Sequence, residues 1–285
     1  MSLSKAQTFD SLNPVNDEVI ASHPITDEAG VRAAVATART AALQWREIGF
    51  SGRRKMLLKW STYLMANVDE LAELVSLETG KPTSDAKLEA ALAAGHIAWA
   101  ARHAESVMRT SYRSPGLLMA NMSATVERSP VGVVGVIGPW NYPVFTPLGS
   151  IAYALAAGNS VVFKPSEYTP GVGQYLARTF LDATLFADVF ICLTGLGETG
   201  KYLCESGVDK LAFTGSTRTA KIVAATCAAQ MTPVVLECGG KDPVIVAHDA
   251  DIARAADATV WSAFSNAGQT CIGAERVYVD ERVAD

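Results

Sequence analysis

Apolar residues recur at three- and four-residue spacing over much of the first hundred positions, and from Val131 onward they gather into short runs. Met56, Leu57, Trp60 and Leu64 share one face of a predicted helix that Ser51 is placed to cap. Asp69 to Thr79 predicts a second helix, stopped by Gly80 and Pro82, and the alanine-rich Asp85 to Ala104 a third. This first part reads as helical throughout. Ser111 to Pro130 mixes turn formers with short alternating stretches and predicts a β-hairpin or ribbon.

Beyond it, apolar runs at Val131–Ile137, Ser160–Phe163, Val189–Leu193, Lys210–Thr214, Val234–Leu236 and Val244–Val246 predict strands. Helical stretches lie between them at Phe145–Ala157, Pro170–Ala183, Glu198–Ser206, Ser216–Ala229 and Asp251–Asn266. Arg276–Val279 reads as one more strand. Such alternation implies an α/β fold with a parallel sheet covered by helices on both faces. Ligands of these sheets bind at the carboxyl ends of the strands, so the residues following each strand are the candidates for chemistry.

Composition narrows the class. Hydrophobic residues make up 49% of the 285 positions and charged residues 19%, enough to build a sizeable core. The formal net charge of −5 supplies no general basic field for nucleic acid. Val131 to Phe163 holds no charged residue and is long enough to span a bilayer, but Pro139, Pro143 and Pro147 interrupt it, so a buried strand, loop and helix is the expectation, with no membrane span. Five cysteines without C-x-x-C spacing, and few histidines, argue against a metal site and for reduced thiols in a cytoplasmic setting. No secretory signal is read at the start.

The predicted strand ends carry a distinctive series. Gly138-Pro139-Trp140-Asn141 offers a rigid amide, either a structural turn or a donor to a developing oxyanion. Lys164-Pro165-Ser166-Glu167 is either a surface ion pair or a grip on sugar hydroxyls, where a carboxylate would repel a 2′-phosphate. Phe213-Thr214-Gly215-Ser216-Thr217 opens a helix and suits an anion, although it is not the usual G-x-G-x-x-G. Glu237, directly after an apolar strand and next to Cys238-Gly239-Gly240-Lys241, could serve as a general base. Cys271, flanked by glycine at an element boundary, is the best nucleophile candidate; the other cysteines read as small buried apolar groups.

In this order, with Glu78-Thr79-Gly80-Lys81-Pro82 upstream and Gly268-Gln269-Thr270-Cys271 downstream, the motifs closely resemble those of the aldehyde dehydrogenase superfamily. The resemblance implies a Rossmann-like NAD-binding domain from residues 1–110 and 131–238, an oligomerisation hairpin at 111–130 and the beginning of a catalytic domain at 239–285. It implies Cys271 as nucleophile, Asn141 with the Cys271 backbone N–H as oxyanion hole, and Glu237 as the base that activates water. Ile137, Pro139, Trp140, Lys164, Ser166, Glu167, Gly197, Gly215, Ser216, Thr219 and Cys238 become cofactor contacts. The cofactor is expected to be NAD, with NADP as the alternative, and the substrate an aldehyde, for which Tyr142 and Trp261 are candidate lining residues. A homodimer or homotetramer is expected of the full-length protein.

Two departures stand out. Ala220 occupies a position where the family usually has glycine, and the loop at Gly197–Gly200 is short. The match also corresponds to an N-terminal portion that stops just beyond the nucleophile. A cofactor-binding fragment without turnover and a non-catalytic relative are therefore the competing readings. Retention of Cys271, Glu237 and Asn141 weighs against both.

Overall fold

The structure is a computed structural model that describes residues 7–284. It opens with an antiparallel hairpin, β1 (Thr8–Leu12) and β2 (Val19–Pro24), where the helical reading of the first part anticipated no strands. The turn explains the difference: the Asn13 side chain accepts from the Val15 N–H, and Asp17 takes φ 58°, a left-handed position that aspartate tolerates.

Four helices follow: α1 (Glu28–Glu47), α2 (Gly49–Ala66), α3 (Val68–Thr79) and α4 (Thr83–Met108). Asp27 caps α1, whereas α2 has no side-chain cap: Ser51 lies inside it, because α2 begins directly after the α1 corner at Ile48. Buried Arg53 fixes that corner by donating to the carbonyls of Trp45, Arg46 and Ala156. The ribbon forms as expected, with β3 (Ser111–Arg113) antiparallel to β4 (Ala124–Val126).

The central sheet contains β5 (Val133–Ile137), β6 (Ser160–Lys164), β7 (Phe190–Cys192), β8 (Lys210–Gly215) and β9 (Val234–Cys238), joined through α5 (Phe145–Ala157), α6 (Pro170–Thr184), α7 (Gly197–Glu205) and α8 (Thr217–Ala229). All pairings are parallel, in the order β7-β6-β5-β8-β9, so the chain reverses direction across the sheet between β5 and β8. That reversal opens a crevice at the carboxyl ends of these strands.

Alternation along the strands builds two cores. Val134, Val136, Val161 and Phe163 face a cluster with α2 to α6, including Trp60, Ile97, Leu148 and Phe180. Val133, Val162, Leu211 and Phe213 face the opposite cluster with Val31, Val35, Leu203 and Val223. Ala220 is buried in the second cluster, where its methyl group fits. The uncharged Val131–Phe163 stretch resolves into β5, a loop, α5 and β6, and no helix among the described residues is long and apolar enough to cross a membrane.

Past Cys238 the architecture changes. β10 (Asp242–Val246) leaves the main sheet and pairs in parallel with β11 (Ala274–Val279), with α9 (Ile252–Phe264) between them. α9 buries none of its residues, and neither core cluster extends beyond Cys238.

Candidate active site

A cleft of about 640 Å³ lies over the carboxyl ends of the sheet, within the roughly 300–1,000 Å³ of small-molecule sites. Its walls bring together every residue read as a cofactor contact. Ile137, Pro139 and Trp140 follow β5; Lys164, Ser166 and Glu167 follow β6; Gly197 starts α7; Gly215, Ser216 and Thr219 span the β8–α8 turn; Cys238 ends β9. Asn141 and Cys271 open into the same space. Glu237 does not. It is exposed on β9, where neighbouring side chains point to opposite faces, so it turns away from the side that carries Cys238.

The Lys164 ammonium is nearly buried, with its side chain 5% exposed, and it donates to Glu167 at 3.4 Å. Burial lowers its pKa and the Glu167 carboxylate raises it again. One carboxylate partner leaves ammonium N–H groups for hydroxyls of a bound ligand. Ser216 caps α8 by accepting from the Thr219 N–H at 3.2 Å. The first turn of α7 has no side-chain cap, so its free N–H groups and helix dipole suit an anion. Gly195, in the turn before it, has φ +152°, and a Cβ there would lie 2.1 Å from Thr199 Oγ1. These features fit a dinucleotide: an ion pair for ribose hydroxyls, helix starts for a pyrophosphate, and a volume to hold it.

The turn that presents Cys271 is strained. Asn266, Ala267 and Gly268 adopt φ 56°, 57° and 73° in succession, conformations that cost non-glycine residues roughly 1–2 kcal/mol each. Hydrogen bonds to older parts of the chain hold it. The Asn266 N–H donates to Asp85 at 3.0 Å, and its buried side-chain amide donates to the backbone carbonyls of Asn141 and Gln269. The Gln269 side chain donates to the Thr79 carbonyl at 3.0 Å. The Asn141 side chain donates one hydrogen to the Gln269 carbonyl at 2.8 Å, which leaves its second hydrogen for a substrate oxygen. Tyr142 meets Thr270, the neighbour of Cys271, through their hydroxyls at 3.2 Å. Trp261, the other candidate lining residue, is 71% exposed on α9.

The sequence reading missed the supports of this site. Lys81, Asp85, Asn266 and Gln269 lie within stretches quoted from the sequence but carry no assigned role there, and Glu89 is not named. Glu89 carried a usable signal, because it occupies the apolar spacing Ala86, Ala90, Ala93, Ile97 on α4. Of the other cysteines, Cys204 and Cys227 are buried as expected and desolvation pushes the Cys192 and Cys204 thiols up to about 12, whereas Cys238 is only half-buried and lines the cleft. Cys204 nevertheless lines the cleft.

Known proteins resemble this chain in sequence and in fold. The model of the aldehyde dehydrogenase family matches residues 2–285. The chain is 36% identical over 284 residues to the succinate-semialdehyde dehydrogenase [NADP(+)] GabD of Escherichia coli, covering 99% of this chain and 58% of that protein. It is 35% identical over 276 residues to a 4,4'-diapolycopene aldehyde oxidase of a Methylomonas species, covering 96% of this chain and 52% of that one. Among solved structures, PnpE in complex with nicotinamide adenine dinucleotide superposes with a TM-score of 0.93 at 33% identity, covering 98% of this chain and 57% of that chain. The chain thus spans little more than half the length of these relatives.

Proposed function

This chain belongs to the aldehyde dehydrogenase family, and from that premise we propose that the protein oxidises an aldehyde to its carboxylic acid, with a nicotinamide dinucleotide as hydride acceptor and a thioester on Cys271 as intermediate. The observation that carries this reading is that Cys271 and Asn141 open into the same cleft as Lys164, Glu167 and Gly215.

The Cys271 thiolate adds to the aldehyde carbon, and the carbonyl oxygen becomes an alkoxide. The free hydrogen of the Asn141 amide and the Cys271 backbone N–H stabilise that charge as it forms. Addition makes hydride loss feasible, because the alkoxide supplies the electron push that a bare aldehyde lacks. A nicotinamide held in the cleft would supply the hydride acceptor, and loss of the hydride would leave a thioester on Cys271. Glu237 then takes a proton from water, the hydroxide attacks the thioester carbon, and the carboxylate leaves as the thiolate returns. Glu237 stands outside the cleft in this structure, so this step requires its side chain to turn towards Cys271. Base-assisted hydrolysis favours a free acid over an acyl-CoA product.

Lys164 and Glu167 hold the adenosine ribose in this reading. The Glu167 carboxylate repels a 2′-phosphate, so NAD is the preferred cofactor, although GabD is named for NADP(+). The exposed apolar tip of the ribbon, with Leu117 93% and Leu118 97% exposed, supports a homodimer or homotetramer. Five free thiols suit a reducing, cytoplasmic setting. A second reading, cofactor binding without turnover by this chain alone, draws on α9 burying no residue and on Glu237 standing outside the cleft.

The test is NADH formation from aliphatic, aromatic and semialdehyde substrates, with Cys271→Ser as control. Turnover that vanishes in the variant is the expected result. NAD⁺ binding without turnover in both proteins favours the second reading.

A further inference from the structure

Lys81 and Glu89 form an ion pair whose side chains are both 0% exposed, at 2.7 Å. Neither touches the cleft, and neither has a role in the chemistry proposed above. Two fully buried charges are costly to desolvate and are seldom a net gain over apolar residues of the same size. The question is what this pair holds.

Each partner spends its remaining hydrogen-bonding capacity on one segment, the loop between β5 and α5. Lys81 Nζ donates to the Asn141 backbone carbonyl at 2.5 Å and lies 4.6 Å from the centre of the Tyr142 ring. Glu89 places Oε2 on Lys81 and accepts the Val144 and Phe145 N–H groups on Oε1, at 2.8 and 2.9 Å. These are the orphan donors of the first turn of α5, which has no side-chain cap from its own Ncap residue. The pair thus grips Asn141 from the front and the helix start behind it. The same Asn141 carbonyl also accepts from Asn266, and the Asn141 side chain donates to Gln269. Asp85, on the same helix as Glu89, accepts the Asn266 N–H, and Thr79, two residues before Lys81, accepts from Gln269. Both sides of the reacting carbon are therefore referenced to the α3–α4 corner.

We propose that Lys81 and Glu89 are positioning residues: a buried clamp that fixes the Asn141 oxyanion donor relative to the Cys271 turn. The inference rests on the assignment of Asn141 and Cys271 above, but its test does not depend on turnover alone. Burial pulls the Lys81 pKa down and Glu89 pulls it up.

The experiment compares Lys81→Met, the double variant Lys81→Met/Glu89→Gln, Asn141→Ala and the triple combination, in the longest form of the protein that carries this chain. The double variant removes both charges, so no uncompensated charge stays buried and the fold is retained, while the Asn141 carbonyl still lacks its donor. Amide exchange is read first. In the double variant the segments 141–145 and 266–271 are expected to exchange about tenfold faster than in the parent, with β5 and β6 unchanged. Aldehyde oxidation is read second. A misplaced oxyanion donor lowers kcat by about 10²-fold, with NAD⁺ affinity within about twofold. In the Asn141→Ala background the double change should cost almost nothing further.

Parental exchange in both segments overturns the clamp, whether or not the protein turns over. Parental kcat in the double variant, or losses that multiply with Asn141→Ala, overturn it as well, because the pair is then only structural. If the parent oxidises no aldehyde in a Cys271-dependent way, the proposed function fails while the exchange result still decides the clamp.

Discussion

Two regions of this molecule solve their packing in opposite ways. Up to Cys238, strands and helices share two closed clusters, and Trp45, Trp60, Phe163 and Phe180 are almost wholly buried. Beyond it, β10, α9 and β11 contribute nothing to either cluster, and Trp261, Phe264, Ile272 and Ile245 are more than two-thirds exposed. Yet the candidate nucleophile sits in the second region. Its place is set by hydrogen bonds that its turn donates to Asp85 and Thr79 and accepts from Asn141, all in the first. The first region supplies stability and the candidate cofactor contacts, and the second presents a candidate nucleophile that it does not itself anchor.

The strongest way to break this comparison is to empty each region of one tryptophan. Trp60 is fully buried and its indole donates to Thr179, so Trp60→Ala should cost about 3–5 kcal/mol of stability in the 285-residue chain. Trp261→Ala on exposed α9 should cost under about 0.5 kcal/mol. Denaturant titrations of both variants read the contrast, and equal losses would mean that the second region has a core of its own.

A smaller effect separates chemistry from binding. Gly268 ends the left-handed run before Cys271 at φ +73°, where a β-branched residue is strained. Gly268→Val should move the thiol by about an ångström and lower turnover by about 10²-fold. NAD⁺ affinity, set by the first region, should stay within about twofold. A matching loss of affinity in a fluorescence titration would show that the two regions do not divide the labour this way.

The sequence made one region far more legible than the other. The strands of the main sheet were marked by dense apolar runs such as Val133–Ile137, and the motifs at their ends carry local chemistry, so the cleft residues could be named in advance. The β1–β2 hairpin was missed because its strands pair across a turn of Asn, Pro and Asp within a polar stretch. β10 reads as one more member of the alternation, and only its pairing with β11 reveals a separate sheet. The clamp at Lys81 was invisible for another reason. Its partners, the Asn141 carbonyl and Glu89, meet it only through tertiary contact, and a lysine between Gly80 and Pro82 looks like any surface lysine. Glu237 shows the converse: a motif can be recognised in sequence while the structure turns the side chain away from the cleft.

Cofactor choice sharpens the first region's share. Glu167 is the carboxylate beside Lys164, the pair proposed above to hold the ribose. Glu167→Ser should raise the NADP⁺-to-NAD⁺ ratio of kcat/KM by about tenfold, equivalent to about 1.4 kcal/mol. An unchanged ratio would remove Glu167 from the discrimination.

The smallest expected effect tests how the segment that bridges the regions is itself held. Glu78 lies three residues before Lys81, is 3% exposed, and accepts the Gly171 and Val172 N–H groups at the start of α6 at 3.0 Å. Burial raises its pKa from 4.5 to about 7, against the pull of those two backbone donors. The folded protein therefore holds this proton more tightly than the unfolded chain does. The stability contributed by that tighter binding is full below pH of about 4.5, declines as pH rises towards about 7, and is gone above it. Glu78→Gln cannot titrate, so the Tm difference between parent and variant isolates the group. The parent's relative stability should fall by on the order of a few °C between pH 5 and pH 8, measured by thermal melts at matched ionic strength. A difference that stays flat or moves the other way would mean that Glu78 is already ionised in the folded state at pH 5, with its two N–H donors outweighing its burial.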